Sequence, residues 1–391
     1  MPTIFDPVQL GPLRLPNRVV KAATYESMAR GGLVTPELIT WHRAIAEGGT
    51  GLSTLAYAAV SPEGRTFRDQ LLLRDEARDG LAAFSDAIHD AGAKASIQIG
   101  HAGWFADPRA SPPPRPAPIG PRRQFSPHAG TFSRAASAED LSRLVHDYAR
   151  GARLVKDCGF DAVEVHLGHG YLLSQFLSPY HNHRRDQWGG SAEKRALFPR
   201  QVLSAVREAV GPGVAVIAKL NMVDGFRGGL SLPDSLTAAR LIESDGSVDA
   251  FELTAGHTTR APFFLLRGDS PSADMVRLET NPTRKWMLRL AAPVFLRSQP
   301  FTPAFLRPLA RTFLGHVKTP LILLGGLVDL ETMNSAIAEG FAAVALGRAL
   351  VRDPALVHAL RDQTMARSRC VPCNRCIALT GHQPTRCVLD D

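Results

Sequence analysis

The sequence predicts an α/β fold, a single (β/α)8 TIM barrel, and three observations carry that reading. Short apolar runs recur along the chain, amphipathic segments alternate with them, and the apolar runs number eight. They lie at 19–23, 51–57, 94–99, 162–167, 214–221, 250–255, 321–325 and 342–346. Nearly continuous apolar strands are those covered on both faces. Strands that alternate with helices form a parallel sheet. An open doubly wound sheet also fits alternation. The count of eight, with no GxGxxG after the first strand, favours the closed barrel.

The helices between the strands announce their starts. Thr35-Pro36, Thr302-Pro303 and Asp353-Pro354 each place a capping side chain before a proline at the first helical position. Ser137 and Asp140 have capping-box spacing. Asp329 should open a helix running to Glu339, with Gly340 as its stop. Two insertions interrupt the pattern. Residues 105–135 follow the third strand, and their DPRASPPPRPAPIGPRRQ core is too proline-rich for a helix or a central strand. Residues 261–300 follow the sixth strand and carry Phe263, Phe264, Trp286, Met287 and Phe295, which points to a packed helical excursion. Both leave C-terminal strand ends, where barrels hold their active sites, so they are read as lids or pocket walls. The organisation expected is a barrel over 1–365 and a Cys-rich tail over 366–391 packed on it.

Composition narrows the function classes. With 391 residues, 45% of them hydrophobic, the chain can bury a large core. Every apolar run is broken by a charge, Gly or Pro before the roughly 18 residues a membrane span needs. The start, MPTIFDPVQLG, lacks the basic and apolar regions of a signal peptide. The expectation is a cytoplasmic enzyme acting on small molecules, without membrane or nucleic-acid partners and with homo-oligomerisation left open. The formal charge of +8 is scattered apart from Arg109, Arg115, Arg122 and Arg123, and no nucleic-acid module accompanies it. Cys158 reads as a buried hydrophobe in a helix.

Chemistry-bearing residues gather at strand ends. Strands seven and eight run into Gly325-Gly326 and Gly347-Arg348. Glycines admit backbone N–H groups close to a phosphate, Arg adds a fork of donors, and this is where barrels often bind phosphate. The fourth strand ends in Glu164-Val-His166-Leu-Gly-His169-Gly-Tyr171. His166 and His169 suit hydrogen bonds to one carbonyl oxygen, and Tyr171 suits proton donation. By spacing alone the pair also fits a metal site or a structural hydrogen bond. Gln98 matches a ring edge with alternating donors and acceptors, such as a flavin's pyrimidine end. Lys219 suits negative charge on a reduced flavin, or else an ion pair with Asp224.

Taken together, the chain resembles the Old Yellow Enzyme family, also called NADH:flavin oxidoreductases. The resemblance runs through IFDPVQLGPLRLPNRVVKAA, GLSTLAYAAVSPEGR, QIGHAG, GFDAVEVHLGHGYLLSQFLSPYHNHRRDQWGGSAEKR, LLGGL and ALGRALVRDPAL. It implies tightly bound FMN, NADH or NADPH as reductant, and hydride transfer to the C=C bond of α,β-unsaturated carbonyl compounds. By it, His166 and His169 hold the substrate carbonyl and Tyr171 protonates the neighbouring carbon. Ala22, Ala23, Thr24 and Tyr25 run under the flavin, Gln98 and Lys219 meet its pyrimidine end, and Gly325, Gly326, Gly347 and Arg348 grip its phosphate. Departures are Ala23 for the usual Pro, Tyr25 for Cys or Thr, Lys219 for Arg, and Tyr57 for a small residue beside the flavin.

The tail reads Cys370-Val-Pro-Cys373-Asn-Arg-Cys376, then ten residues, then Cys387. Such clustering points to metal before disulfides in an intracellular protein. Dienoyl-CoA reductase and trimethylamine dehydrogenase relatives carry an iron–sulfur cluster on four Cys, but with three residues between the second and third. An iron–sulfur flavoenzyme, a zinc site, free thiols and a disulfide all stay open, and no metal ligand is assigned.

Overall fold

The computed structural model describes residues 1–111, 113 and 115–389, with side chains at all of these except 291 and 295. Pro112 and Pro114 of the proline-rich core, and the Phe295 side chain, thus lie outside the described residues. Eight parallel strands close a barrel: β1 (Val19–Lys21), β2 (Leu52–Ala59), β3 (Lys94–Gly100), β4 (Ala162–Leu167), β5 (Ala215–Asn221), β6 (Ala250–Thr254), β7 (Leu321–Leu324) and β8 (Ala343–Leu346). Each strand pairs with its sequence neighbours, and β8 closes on β1. All eight expected strands are present. β1 is shorter than expected, because after the Ala22 N–H donates to the Leu346 carbonyl the chain leaves the ladder and borders the cavities at the mouth. A register shift between Leu55 and Ala58 in the β2–β3 pairing lies beside Tyr57.

A hairpin ahead of the barrel was not expected. Val8–Leu10 and Leu13–Leu15 form an antiparallel hairpin whose leucines pack on Ala162, Ala215 and Ala250 and plug the bottom of the barrel. Its turn needs Gly11, which has φ +56°, and a Cβ there would meet the Asp249 carboxylate at 2.1 Å.

Of the helix starts, Thr35 caps Pro36–Glu47, Ser137 and Asp140 form a capping box on Ala138–Asp157, and Asp329 caps Leu330–Ala338. Two differ. The helix after Thr302-Pro303 begins only at Arg307, since Ala304 has φ +49° and breaks the first turn. Asp353 does not cap Leu356–Arg361, because its carboxylate is taken by Ser368 and Arg369 of the tail. Cys158 is buried at the end of its helix.

The first insertion forms a small sheet centred on Thr131–Ala135, with Ile119–Gly120 and Gln124–Ser126 at its edges. The second is helical, as Pro262–Leu265, Ser272–Leu278 and Pro282–Phe295. Its apolar side chains are not all packed as expected. Phe263 is buried, but Trp286 is 62% exposed and Met287 49%, because the last helix lies on the rim and turns one face outward. No helix among the described residues is long and apolar enough to cross a membrane.

Candidate active site

Two adjoining cavities open at the C-terminal mouth, and every site residue named from the sequence lines one or both. The larger, about 1000 Å³, is bordered by Tyr25, Tyr57, Gln98, His166 and Tyr171. The smaller, about 130 Å³, is bordered by Ala22, Lys219, Gly325, Gly326 and Gly347. Ala23, Thr24, His169 and Arg348 border both.

The donor cluster is built by the end of β4. His166 leaves the strand almost fully buried, and its Nδ1 has no hydrogen-bond partner. Three residues on, His169 adopts φ +59°, a left-handed conformation uncommon outside glycine. It is held there by Thr258, which donates from N and Oγ1 to the His169 carbonyl, and by Thr254, whose Oγ1 lies 2.8 Å from Nε2. The twist brings the two imidazole centroids to 4.9 Å, with the Tyr171 ring also 4.9 Å from His166. Burial holds His166 well below the usual histidine range and pushes His169 down to about 3, so both rings are neutral at pH 7. Burial raises the Tyr171 phenol, which keeps its proton.

The floor carries charge. Gln98 Nε2 donates to Glu164 Oε1 at 2.6 Å. Lys219 does not meet Asp224. It pairs with Glu252 and lies 3.6 Å from Glu164, while Asp224 is engaged by Ser178, Asn221 and the Leu230 N–H. Burial opposes the ammonium, but Glu164 and Glu252 outweigh it and raise the Lys219 pKa. Glu164 and Glu252 were not assigned from the sequence. The available signal was an acid inside each otherwise apolar strand.

At the far end, Gly325 has φ +109° and Gly326 φ +77°, and a Cβ would meet Leu306 at 2.7 Å or Phe305 at 2.7 Å. Arg348 reaches the Arg267 carbonyl at 3.0 Å and the Asn374 side-chain oxygen. Asn374, buried in the tail, also donates to the Leu266 and Asp269 carbonyls. The tail thus positions the cation of the glycine end, a link no local pattern disclosed. Cys370, Cys373, Cys376 and Cys387 line one small cavity beside Arg348 and are not joined by disulfides. Burial pushes Cys370 up to about 11 and Cys376 up to about 12. Among the described residues no group of three or more His, Cys, Asp or Glu is arranged to hold a metal ion.

Residues 3–252 match the sequence profile of the NADH:flavin oxidoreductase / NADH oxidase family. The chain belongs to this family. It is an oxidoreductase that uses FMN and NADH or NADPH. The chain is 43% identical over 390 residues to the 4,4'-dithiodibutanoate disulfide reductase of Rhodococcus erythropolis, covering 100% of this chain and 96% of that one. It is 30% identical over 289 residues to the NADPH dehydrogenase of Bacillus subtilis, covering 71% of this chain and 81% of that one. In fold it is similar to a 2-naphthoyl-CoA reductase, with TM-score 0.82 and 23% identity over 98% of this chain. It spans 56% of that longer protein. The cavities suit FMN on their own chemistry. They join a glycine-walled end with a nearby guanidinium to a mouth floored by an amide and an ammonium, and they leave His166 Nδ1 buried without a partner.

Proposed function

We propose that this flavin oxidoreductase delivers hydride from NAD(P)H to the activated C=C bond of α,β-unsaturated carbonyl compounds. The observation that carries the reading is the convergence of three neutral donors, His166, His169 and Tyr171, on one cavity above Gln98 and Lys219. In this reading Gln98 and Lys219 hold the pyrimidine edge of FMN. Ala22, Ala23, Thr24 and Tyr25 run beneath the ring with Tyr57 beside it, and Gly325, Gly326, Gly347 and Arg348 hold the phosphate. FMN, when bound, carries the hydride between nicotinamide and substrate. His166 and His169 donate hydrogen bonds to the substrate oxygen, where negative charge builds, and a preorganised donor of this kind contributes about 10²–10³ in rate. Tyr171 gives its proton to the α-carbon. The test is to reduce the holoenzyme with NADPH without oxygen and mix it with 2-cyclohexenone. Reoxidation with formation of cyclohexanone is expected, and a flavin that stays reduced overturns the reading.

A second reading, reduction of an organic disulfide with carboxylate arms, is favoured by the 43% identical disulfide reductase and by Arg68, Arg109 and Arg284 around the larger cavity. Arg109 and Arg284 share Asp107, while Arg68 makes no ion pair among the described residues. The disulfide takes up a hydride and a proton and leaves as two thiols. His166 and His169 would stabilise the departing thiolate and Tyr171 would protonate it. In the same experiment 4,4'-dithiodibutanoate replaces cyclohexenone. Reoxidation by the disulfide alone would install this second reading.

A further inference from the structure

Beneath the mouth, five ionisable side chains are buried, none more than 2% exposed: Lys21, Glu26, Glu164, Lys219 and Glu252. They fall into two sets. Lys21 Nζ is 2.5 Å from Glu26 Oε1, one cation to one anion, with His42 behind the carboxylate at 3.6 Å. The other set is unbalanced. Gln98 is register partner of Glu164 across β3–β4, and Lys219 of Glu252 across β5–β6, so four adjacent strands bring one amide, two carboxyls and one ammonium together. Lys219 pairs with Glu252 and stands 3.6 Å from Glu164, and Glu252 Oε2 is buried without a hydrogen-bond partner. One ammonium cannot neutralise two buried carboxylates, so one carboxyl must be able to hold a proton.

We propose that the Glu164–Glu252 pair is a proton store that takes up one proton when hydride arrives at the mouth above Lys219 and returns it when hydride leaves. The idea rests on the placing of the flavin ring against Gln98 and Lys219 proposed above. The balance is simple. A nicotinamide delivers a proton and two electrons as hydride, which adds one negative charge to the site. That charge competes for Lys219 and weakens its hold on the two carboxylates. The pair then takes one proton from solvent, and no other bond changes. The groups facing Glu164 are Gln98 from β3, Lys219 from β5, Glu252 from β6 and Lys21 from β1. Burial and the neighbouring Glu252 push Glu164 up to about 8. Below that pH the pair already holds its proton and takes up little. Above it the store is empty and ready to fill.

The experiment counts protons. Oxidised holoenzyme in weakly buffered solution with an indicator dye is reduced without oxygen by one equivalent of NADH. Uptake near zero per flavin at pH 7, rising towards one at pH 9, is expected. Glu164→Gln should abolish the rise while the flavin is still reduced. Glu252→Gln, which removes the like charge and leaves Lys219, should also abolish it. No uptake at pH 9 in the wild-type protein, or uptake in the two variants equal to that of the wild type, overturns the proposal. Infrared titration of the oxidised holoenzyme reads the pair by itself. A carboxylic C=O band titrating near pH 8, lost in Glu164→Gln and moved to lower pH in Glu252→Gln, is expected, and its absence overturns the store whatever the flavin does. Gln98→Ala separates the underlying reading, because an unchanged flavin absorption spectrum in that variant would remove the ring from this floor.

Discussion

The phenol oxygens of Tyr57 and Tyr171 stand 3.3 Å apart, with their rings 5.4 Å apart at 69°. β2 and the loop after β4 are thereby joined by a hydrogen bond across the larger cavity. Tyr25 extends the row, with its ring 5.8 Å from that of Tyr57. Burial raises all three phenols above their usual range, so each keeps its proton at neutral pH.

Tyr171→Phe tests the proton donor. Stopped-flow measurement should show the enone half-reaction slowed by about 10²-fold or more, with reduction by NADPH unchanged. An unaffected enone rate would assign the proton to water or to Tyr57.

Replacing His166 and His169 together with Ala removes both oxygen-directed donors but no proposed flavin contact. A phenolic ligand, followed through the flavin absorbance, should bind about tenfold to a hundredfold more weakly, which is roughly 1.4–2.7 kcal/mol for the lost hydrogen bonds. FMN should stay bound. Unchanged ligand affinity would return the two rings to a structural role.

Arg348 and Asn374 make a paired prediction. Arg348→Ala should weaken FMN binding by at least tenfold in a fluorescence titration, through loss of a phosphate-facing cation. Asn374→Ala, which removes the side chain that positions Arg348, should weaken it in the same direction by less. If Asn374→Ala costs nothing, the tail has no part in holding the cofactor.

Acid should unfold this protein early. Burial pushes His42 and His101 down to about 4, and His169 and His257 down to about 3, from an unfolded value near 6.5. Between those values the unfolded chain binds protons that the folded one refuses. The stability these groups contribute is therefore complete above about pH 6.5 and is lost as pH falls towards 4. Each pH unit costs at most about 1.4 kcal/mol per histidine. The urea midpoint, with saturating FMN, should fall clearly from pH 7.5 to pH 5.5, and equal midpoints would refute the account.

What was legible in the chain was local. Strands that must be covered on both faces are spelled as apolar runs, so all eight could be placed, and capping at Thr35, Ser137 and Asp329 needs only three or four residues to declare itself. Short elements were less visible. The Val8–Leu10 and Leu13–Leu15 hairpin has three residues per strand, too few for a pattern. Where a distant partner claims a side chain, local signals mislead, as when the tail takes Asp353 from its helix.

The sequence by itself determined that eight βα units are present and which polar side chains stand at their ends, because both follow from period and neighbour. Tertiary structure alone decided the partners of those side chains. Lys219 faces Glu252 and Glu164, not the nearby Asp224, and Arg348 is steadied by Asn374. The physical reason is closure. Which residues share a layer depends on the stagger between strands and on where the insertions and tail fold back, and neither is written in any one segment.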